Sequence, residues 1–339
     1  KTPLTLPSPP RGRGAGEGDF LNSRMLKKAS SFLLALVAVC CLLNLGMAGR
    51  PPVGQGGKLY VVASIPDLAD ITARIGGDLV EVESLARGVE DPHGVPIKPS
   101  FLPKLNRADL LVVMGMEHEH AWLDALVAEA RNPRILPQGH GYVDCSVYIT
   151  PKQIPVDISR SEGDLHPLGN PHYNLDPENG KLIARAVAES LVRAYPEGRP
   201  VFEANLQRFV AALDHRIQDW LRRAAPLRGV KFVSYHQDTI YFAERFGLIE
   251  IGQIELKPGI EPTQQHLIQL VRRMKAEHVR LVLREPQYSE KLPRRVAQET
   301  GARLVKFPIM VGGAPEIRAY EDLIEYNLQG MLSALQGQP

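Results

Sequence analysis

Seven apolar runs of strand length constrain this chain more than any other feature. They are LYVVAS (59–64), LVEVESLA (79–86), DLLVVMG (109–115), KFVSYH (231–236), GLIEIGQI (247–254), VRLVLRE (279–285) and ARLVKFP (302–308). Helix-like stretches separate them, such as DLADITARIGG, where Gly76 and Gly77 supply the stop. Strands that are mostly continuous in apolar character, alternating with helices, read as parallel sheet covered on both faces. VVASIPDLADITARIGGDLVEVESL and FVSYHQDTIYFAERFGLIEIGQIEL share one layout of strand, polar turn, helix, glycine and strand. The fold class is therefore α/β, with two lobes of similar architecture.

Between the lobes lies PVFEANLQRFVAALDHRIQDWLRRAAPL, with Phe202, Leu206, Phe209, Leu213, Ile217 and Trp220 spaced by threes and fours. That spacing makes one apolar stripe on a helix. Roughly 25 residues at ~1.5 Å each give a rod of ~40 Å, long enough to join the lobes stiffly. The expected organisation is an N-terminal lobe over 58–199, a linking helix over 200–227 and a C-terminal lobe over 228–339.

The N-terminus is of a different kind. Residues 1–24 are rich in Pro, Gly and Arg and read as a disordered or non-native extension ahead of Met25. Residues 25–48 carry Lys27 and Lys28, an apolar stretch from Phe32 to Leu45, and Gly46-Met47-Ala48. This is the pattern of a cleaved secretory signal peptide, and the apolar run falls short of the ~20 residues of a membrane span. A lipid anchor wants a small residue before its cysteine, whereas Val39 precedes Cys40. With Cys40 and Cys41 removed, the mature chain keeps Cys145 alone, so no internal disulfide or cysteine-type zinc site is expected. A formal net charge of +2, with no basic run interleaved with aromatics, gives no nucleic-acid footprint.

A metal site in such a chain is built from His, Asp and Glu. Ligands of open α/β sheets sit beyond the carboxyl ends of the strands. His236 ends KFVSYH, and Glu285 ends VRLVLRE ahead of Pro286. His93 follows Pro92 in the loop after LVEVESLA. His172 follows Pro171 in GNPHYNLDP, where Asp176 suits a helix cap and Pro177 the first helical position. Any one of these has a bland reading as a hydrogen-bonded loop residue. Three histidines at strand ends or behind prolines, drawn from both lobes, instead point to a cation in the crevice, because zinc takes neutral imidazoles and carboxylates. His118 and His120 in GMEHEHAWLDAL read as a hydrated helix start, so His118→Ala is expected to leave metal binding unchanged. His166 stands six residues before His172, within reach of closing over the site. His140, His215, His266 and His278 are expected to be solvated.

From about residue 58 to 335 the chain resembles the zinc/manganese solute-binding protein family, the metal-binding component of ABC importers. The pieces that carry the resemblance include VVASIPDLADITARIGGD, SLARGVEDPHGVPIKPS, KLNRADLLVVMG, GNPHYNLDPENGKLIA, VSYHQDTIYFAERFGL, EPTQQHLIQLVRRMKAEHVRLVLREPQYS and AYEDLIEYNL, in family order. The resemblance implies a C-clamp of two lobes on a long helix with metal between them, and it assigns His93, His172 and His236 as ligands. His236 stands where manganese-type members tend to carry a carboxylate, which favours zinc. The loop FPIMVGGAPEI lacks the aspartate that many members supply as fourth ligand. That place is left to Glu285, a water, His166 or Glu316. The long His- and acid-rich loop of some zinc members is replaced by SEGDLHPLG.

The function implied is non-enzymatic: a periplasmic monomer that binds a divalent metal ion, Zn2+ ahead of Mn2+, and delivers it to the membrane permease of an ABC importer. A secreted zinc hydrolase is the alternative, since three histidines and an open position also describe a catalytic zinc. Against it, the sequence has no HExxH, and Glu285 is the single carboxylate placed as a base.

Overall fold

The computed structural model describes residues 57–155, 166–255 and 259–337. The N-terminal extension, the signal peptide and the first five residues of SEGDLHPLG lie outside them.

The first sheet contains β1 (Leu59–Ala63), β2 (Val80–Ser84), β3 (Leu110–Val113) and β4 (Tyr142–Asp144). All its pairings are parallel, in the order β2-β1-β3-β4. The second sheet contains β5 (Lys231–Ser234), β6 (Ile249–Gln253), β7 (Leu281–Arg284) and β8 (Arg303–Lys306), again parallel, in the order β6-β5-β7-β8. The two orders are the same permutation, which is the duplicated layout seen in the sequence. The apolar runs map onto seven of the eight strands. β4 went unread because three residues of GYVD are too few to show a period.

Nine α-helices cover the sheets among the described residues: α1 (Pro66–Gly76), α2 (Phe101–Arg107), α3 (Leu123–Glu129), α4 (Pro177–Ala194), α5 (Arg199–Arg223), α6 (Ile240–Phe246), α7 (Gln264–Ala276), α8 (Lys291–Thr300) and α9 (Tyr320–Gln336). α4 starts as its sequence dictates, with the Asp176 carboxylate accepting from Glu178 N at 2.9 Å and Pro177 in the first turn. The long helix α5 buries Phe202, Phe209, Leu213, Ile217 and Trp220, and leaves Leu206 half-buried. It ends at Arg223, ahead of a short 3-10 turn, Ala225–Leu227.

α5 is packed along its length and is not a bare rod. Asn205 donates to the Ile75 carbonyl at the end of α1 (2.8 Å), and Trp220 Nε1 and Arg223 both donate to Glu325 of α9. One hydrophobic core runs through both lobes, from Leu59 and Leu111 to Phe307 and Leu328. A smaller cluster (Val233, Ile251, Leu270, Met274, Val296) lies under α7 and α8.

Polar bonds cross from lobe to lobe as well. Asp67 accepts from Val311 N (2.9 Å) and from Asn174 (3.1 Å), and Asn174 also donates to the Ile309 carbonyl (2.9 Å). A Cβ placed on Gly88 would overlap the Val311 carbonyl oxygen and the Gly312 backbone, so the two lobes touch there backbone to backbone.

Candidate metal centre

In each sheet the strand order reverses between the first and third strands, β1/β3 and β5/β7, and ligands of open α/β sheets bind at such switch points. The chain leaving β3 reaches His118, the chain leaving β5 reaches His236, and Glu285 follows β7 directly. His93 lies in the loop after β2, and His172 lies just before α4.

The loop of His93 is pinned on both sides of the residue. Trp122 Nε1 donates to the Pro92 carbonyl at 2.9 Å, and His93 N donates to Asp91 at 3.0 Å. His93 Nδ1–H donates to the His118 carbonyl at 3.2 Å, which leaves Nε2 as a lone pair. His172 is held the same way, its Nδ1–H donating to Asn170 Oδ1 at 3.0 Å. The Asn170 amide is itself oriented, because its Nδ2 donates to Gln153 and to the Gln237 carbonyl, both at 2.8 Å. A carbonyl or amide oxygen on Nδ1 fixes the tautomer and presents Nε2 to a cation.

The two Nε2 atoms stand 2.9 Å apart. With both Nδ1 protons already donated, this is a meeting of two lone pairs and not a hydrogen bond. Tetrahedral zinc, with bonds of ~2.0–2.1 Å, needs such nitrogens about 3.3 Å apart and converts the repulsion into coordination. Burial holds both imidazoles well below their ordinary pKa, and the neighbouring imidazoles add to it. Both are therefore neutral, the ligating form.

His118 is not the hydrated helix start expected from the sequence. It is 2% exposed, and its Nδ1, 3.7 Å from Glu119 Oε1, has no hydrogen-bond partner among the described residues. One nitrogen each from His93, His118 and His172 lie within 4.8 Å of one another. Its inward aim comes from a contorted loop, with φ of 76° at Gly115, 53° at Met116 and 60° at Glu117. Glu119 holds that loop by accepting from Met114 N at 2.7 Å and from the Ser64 hydroxyl. The signal available in the sequence was position: His118 follows a strand end by a few residues, as His236 does. His120 is exposed and donates to the Glu117 carbonyl, in keeping with a hydrated turn.

His236 comes from the second lobe. Its ring centroid is 5.5 Å from those of both His93 and His172, outside the tighter triplet. Its Nδ1 is 2.6 Å from Glu255, a carboxylate–imidazole pair that turns Nε2 toward the cluster. Burial pulls its pKa down, but the hydrogen bond and charge of Glu255 outweigh it, with Glu285 adding, so His236 is raised.

Glu285 is fully buried, and neither carboxyl oxygen has a hydrogen-bond partner among the described residues. It also falls outside the triplet. Burial lifts it to about 7, and it faces Asp238, a second fully buried carboxyl that the sequence reading passed over. Burial and the charge of Glu285 push Asp238 up too, so the two acids answer each other. His166, 9% exposed, has its ring 4.8 Å from that of His93 and is depressed to about 3 by burial and neighbouring imidazoles. Glu316 does not reach the cluster. It is exposed and lines a separate cavity of about 600 Å³ between β8 and α9, with Arg303 and Tyr326.

Two parallel sheets whose switch points meet over a nest of buried imidazoles define a metal-binding protein of the solute-capture class. The chain belongs to the family of zinc-uptake complex component A, periplasmic, which it matches over residues 61–334. It is 27% identical over 265 residues to the high-affinity zinc uptake system protein ZnuA of Yersinia pestis, covering 72% of this chain and 80% of that one. It is 25% identical over 320 residues to the manganese ABC transporter substrate-binding lipoprotein PsaA of Streptococcus anginosus, covering 91% and 99%. A zinc-bound crystal structure of a ZnuA deletion mutant is 30% identical and superposes with a TM-score of 0.70, covering 83% of this chain and all of that one. Relatives named for zinc and for manganese thus both appear.

Proposed function

We propose that the chain is the capture component of an ABC importer for a divalent metal, with Zn2+ as cargo ahead of Mn2+. It is exported by its leader to the periplasm, acts as a monomer and hands the ion to a membrane permease. His93 and His172 hold the ion, and His236 from the second lobe closes on it. The lobes over 58–199 and 228–339, with the helix of 200–227 between them, are the two jaws. The observation that carries this reading is the pair of tautomer-fixed Nε2 lone pairs 2.9 Å apart, with a third imidazole oriented behind them. Neutral nitrogen donors favour Zn2+ over the harder Mn2+. Glu285 and Asp238, both raised by burial, lie behind His236 and are left out of the ligand set.

Calorimetric titration of the metal-stripped protein tests this. Zn2+ should bind reversibly at one site, more tightly than Mn2+, and His93→Ala, His172→Ala and His236→Ala should each weaken it by about 100-fold or more, since even outer-shell losses cost about 10–100-fold. Affinity for Mn2+ equal to that for Zn2+ would overturn the cargo, and unchanged affinity in the three variants would overturn the site.

A further inference from the structure

We propose that His118 is itself a ligand of the captured ion, so that the metal is held by four imidazoles, His93, His118, His172 and His236, and by no carboxylate. The proposal rests on the capture function above and supplies the fourth ligand, the feature on which choice between metals turns.

Three observations meet on this residue. His118 is buried to 2% exposure with a ring nitrogen that has no hydrogen-bond partner among the described residues, and a buried polar atom without a partner is costly unless something binds it. Its ring centroid lies 4.9 Å from that of His93 and 5.5 Å from that of His172, the same range as the separations among His93, His172 and His236. Imidazoles sharing one tetrahedral ion at ~2.0–2.1 Å place their centroids about 5 Å apart. Finally, the loop that aims it puts two non-glycine residues, Met116 and Glu117, at positive φ, a strained conformation. Gly115, at φ 76°, sits in the left-handed region that favours glycine. A surface histidine has no use for such a loop.

The carboxylates do not join the close triplet. Glu285 stands outside it and faces Asp238, and Glu316 is exposed and lines a separate cavity. Zinc suits a set without hard oxygen donors, and manganese is poorly served by it.

X-ray absorption at the zinc edge, on the full chain loaded with Zn2+ alone, counts imidazoles by their multiple scattering. Four are expected in the wild type and three, plus one light oxygen, in His118→Ala. The same variant should lose about 100-fold or more in Zn2+ affinity and much less in Mn2+ affinity, so selectivity between the two falls. His166→Ala should keep the count of four, and His215→Ala, on the exposed face of α5, should match wild type in everything. The wild-type count needs no substitution, so it stands even if His118→Ala folds poorly. Three imidazoles in the wild type, or an unchanged count and affinity in His118→Ala, overturns the role of His118 while leaving zinc capture intact. Failure of the wild-type protein to bind Zn2+ overturns both.

Discussion

His172 and His236 are oriented by different partners, and their protons behave differently as a result. His172 gives its Nδ1–H to a neutral amide and stays well below its ordinary pKa, whereas His236 faces the Glu255 carboxylate and is raised. A raised imidazole contributes stability that is fully present below its unfolded pKa of ~6.5 and is lost as pH rises through the folded value. Zinc must therefore displace a proton from His236 near neutrality, but none from His93 or His172. Titrations in buffers of different ionisation heat should find about one proton released per ion at pH 6.5, and affinity falling by about tenfold per pH unit below the His236 pKa. Glu255→Gln should flatten that slope by lowering the His236 pKa. Release of two or more protons would mean that a second group, such as the raised acids Glu285 and Asp238, gives one up as well.

The element that carries most weight next to the site is the start of α4. Asp176 caps it and also takes both Nε and Nη2 of Arg245 on α6, at 2.7 and 2.9 Å, tying the helix that follows His172 to the second lobe. A lost cap costs about 0.5–2 kcal/mol, and a partly exposed bidentate pair about 1 kcal/mol after solvent screening. Asp176→Ala should thus cost about 1.5–3 kcal/mol and Asp176→Asn, which keeps the cap, about 1 kcal/mol. In a chain of this size that separates the two melting temperatures by a few degrees. Equal melting temperatures for the two variants would show that the cap contributes nothing and the ion pair everything.

On the scale of the whole molecule, the shared core, the Asp67–Asn174 node and the Gly88 contact make the two lobes one cooperative body. Unfolding in urea should be a single transition, with Trp fluorescence and far-ultraviolet circular dichroism superimposing; two separated transitions would mean that the lobes unfold independently. Gly88→Ala sets a methyl group against the backbone of Val311 and Gly312, neither of which has a flexible side-chain end to move aside there. Overpacking of this kind costs about 1–3 kcal/mol. It should also hold the lobes apart, keeping His236 away from His93 and His172 and lowering Zn2+ affinity by about tenfold. A destabilised variant with wild-type affinity would show that the spacing set at Gly88 does not reach the site.

Strand runs, the order of motifs and the proline-flanked histidines were legible in the sequence because each depends on residues close together in the chain. Asp176 and Pro177 announced α4, and strand ends marked His236 and Glu285, for the same reason. His118 was misread because its burial is made elsewhere: by Ser64, 55 residues away on Glu119, and by three consecutive left-handed residues whose cost no local pattern advertises. The pairing of Glu285 with Asp238 likewise arises only when β5 and β7 come side by side in the second sheet, and the backbone contact at Gly88 only when two lobes meet. The sequence by itself determined that two parallel sheets would carry histidines to their carboxyl ends. Which of those histidines point inward together was decided by tertiary packing, because a side chain's solvent and electrostatic surroundings belong to whatever the distant parts of the chain bring to it.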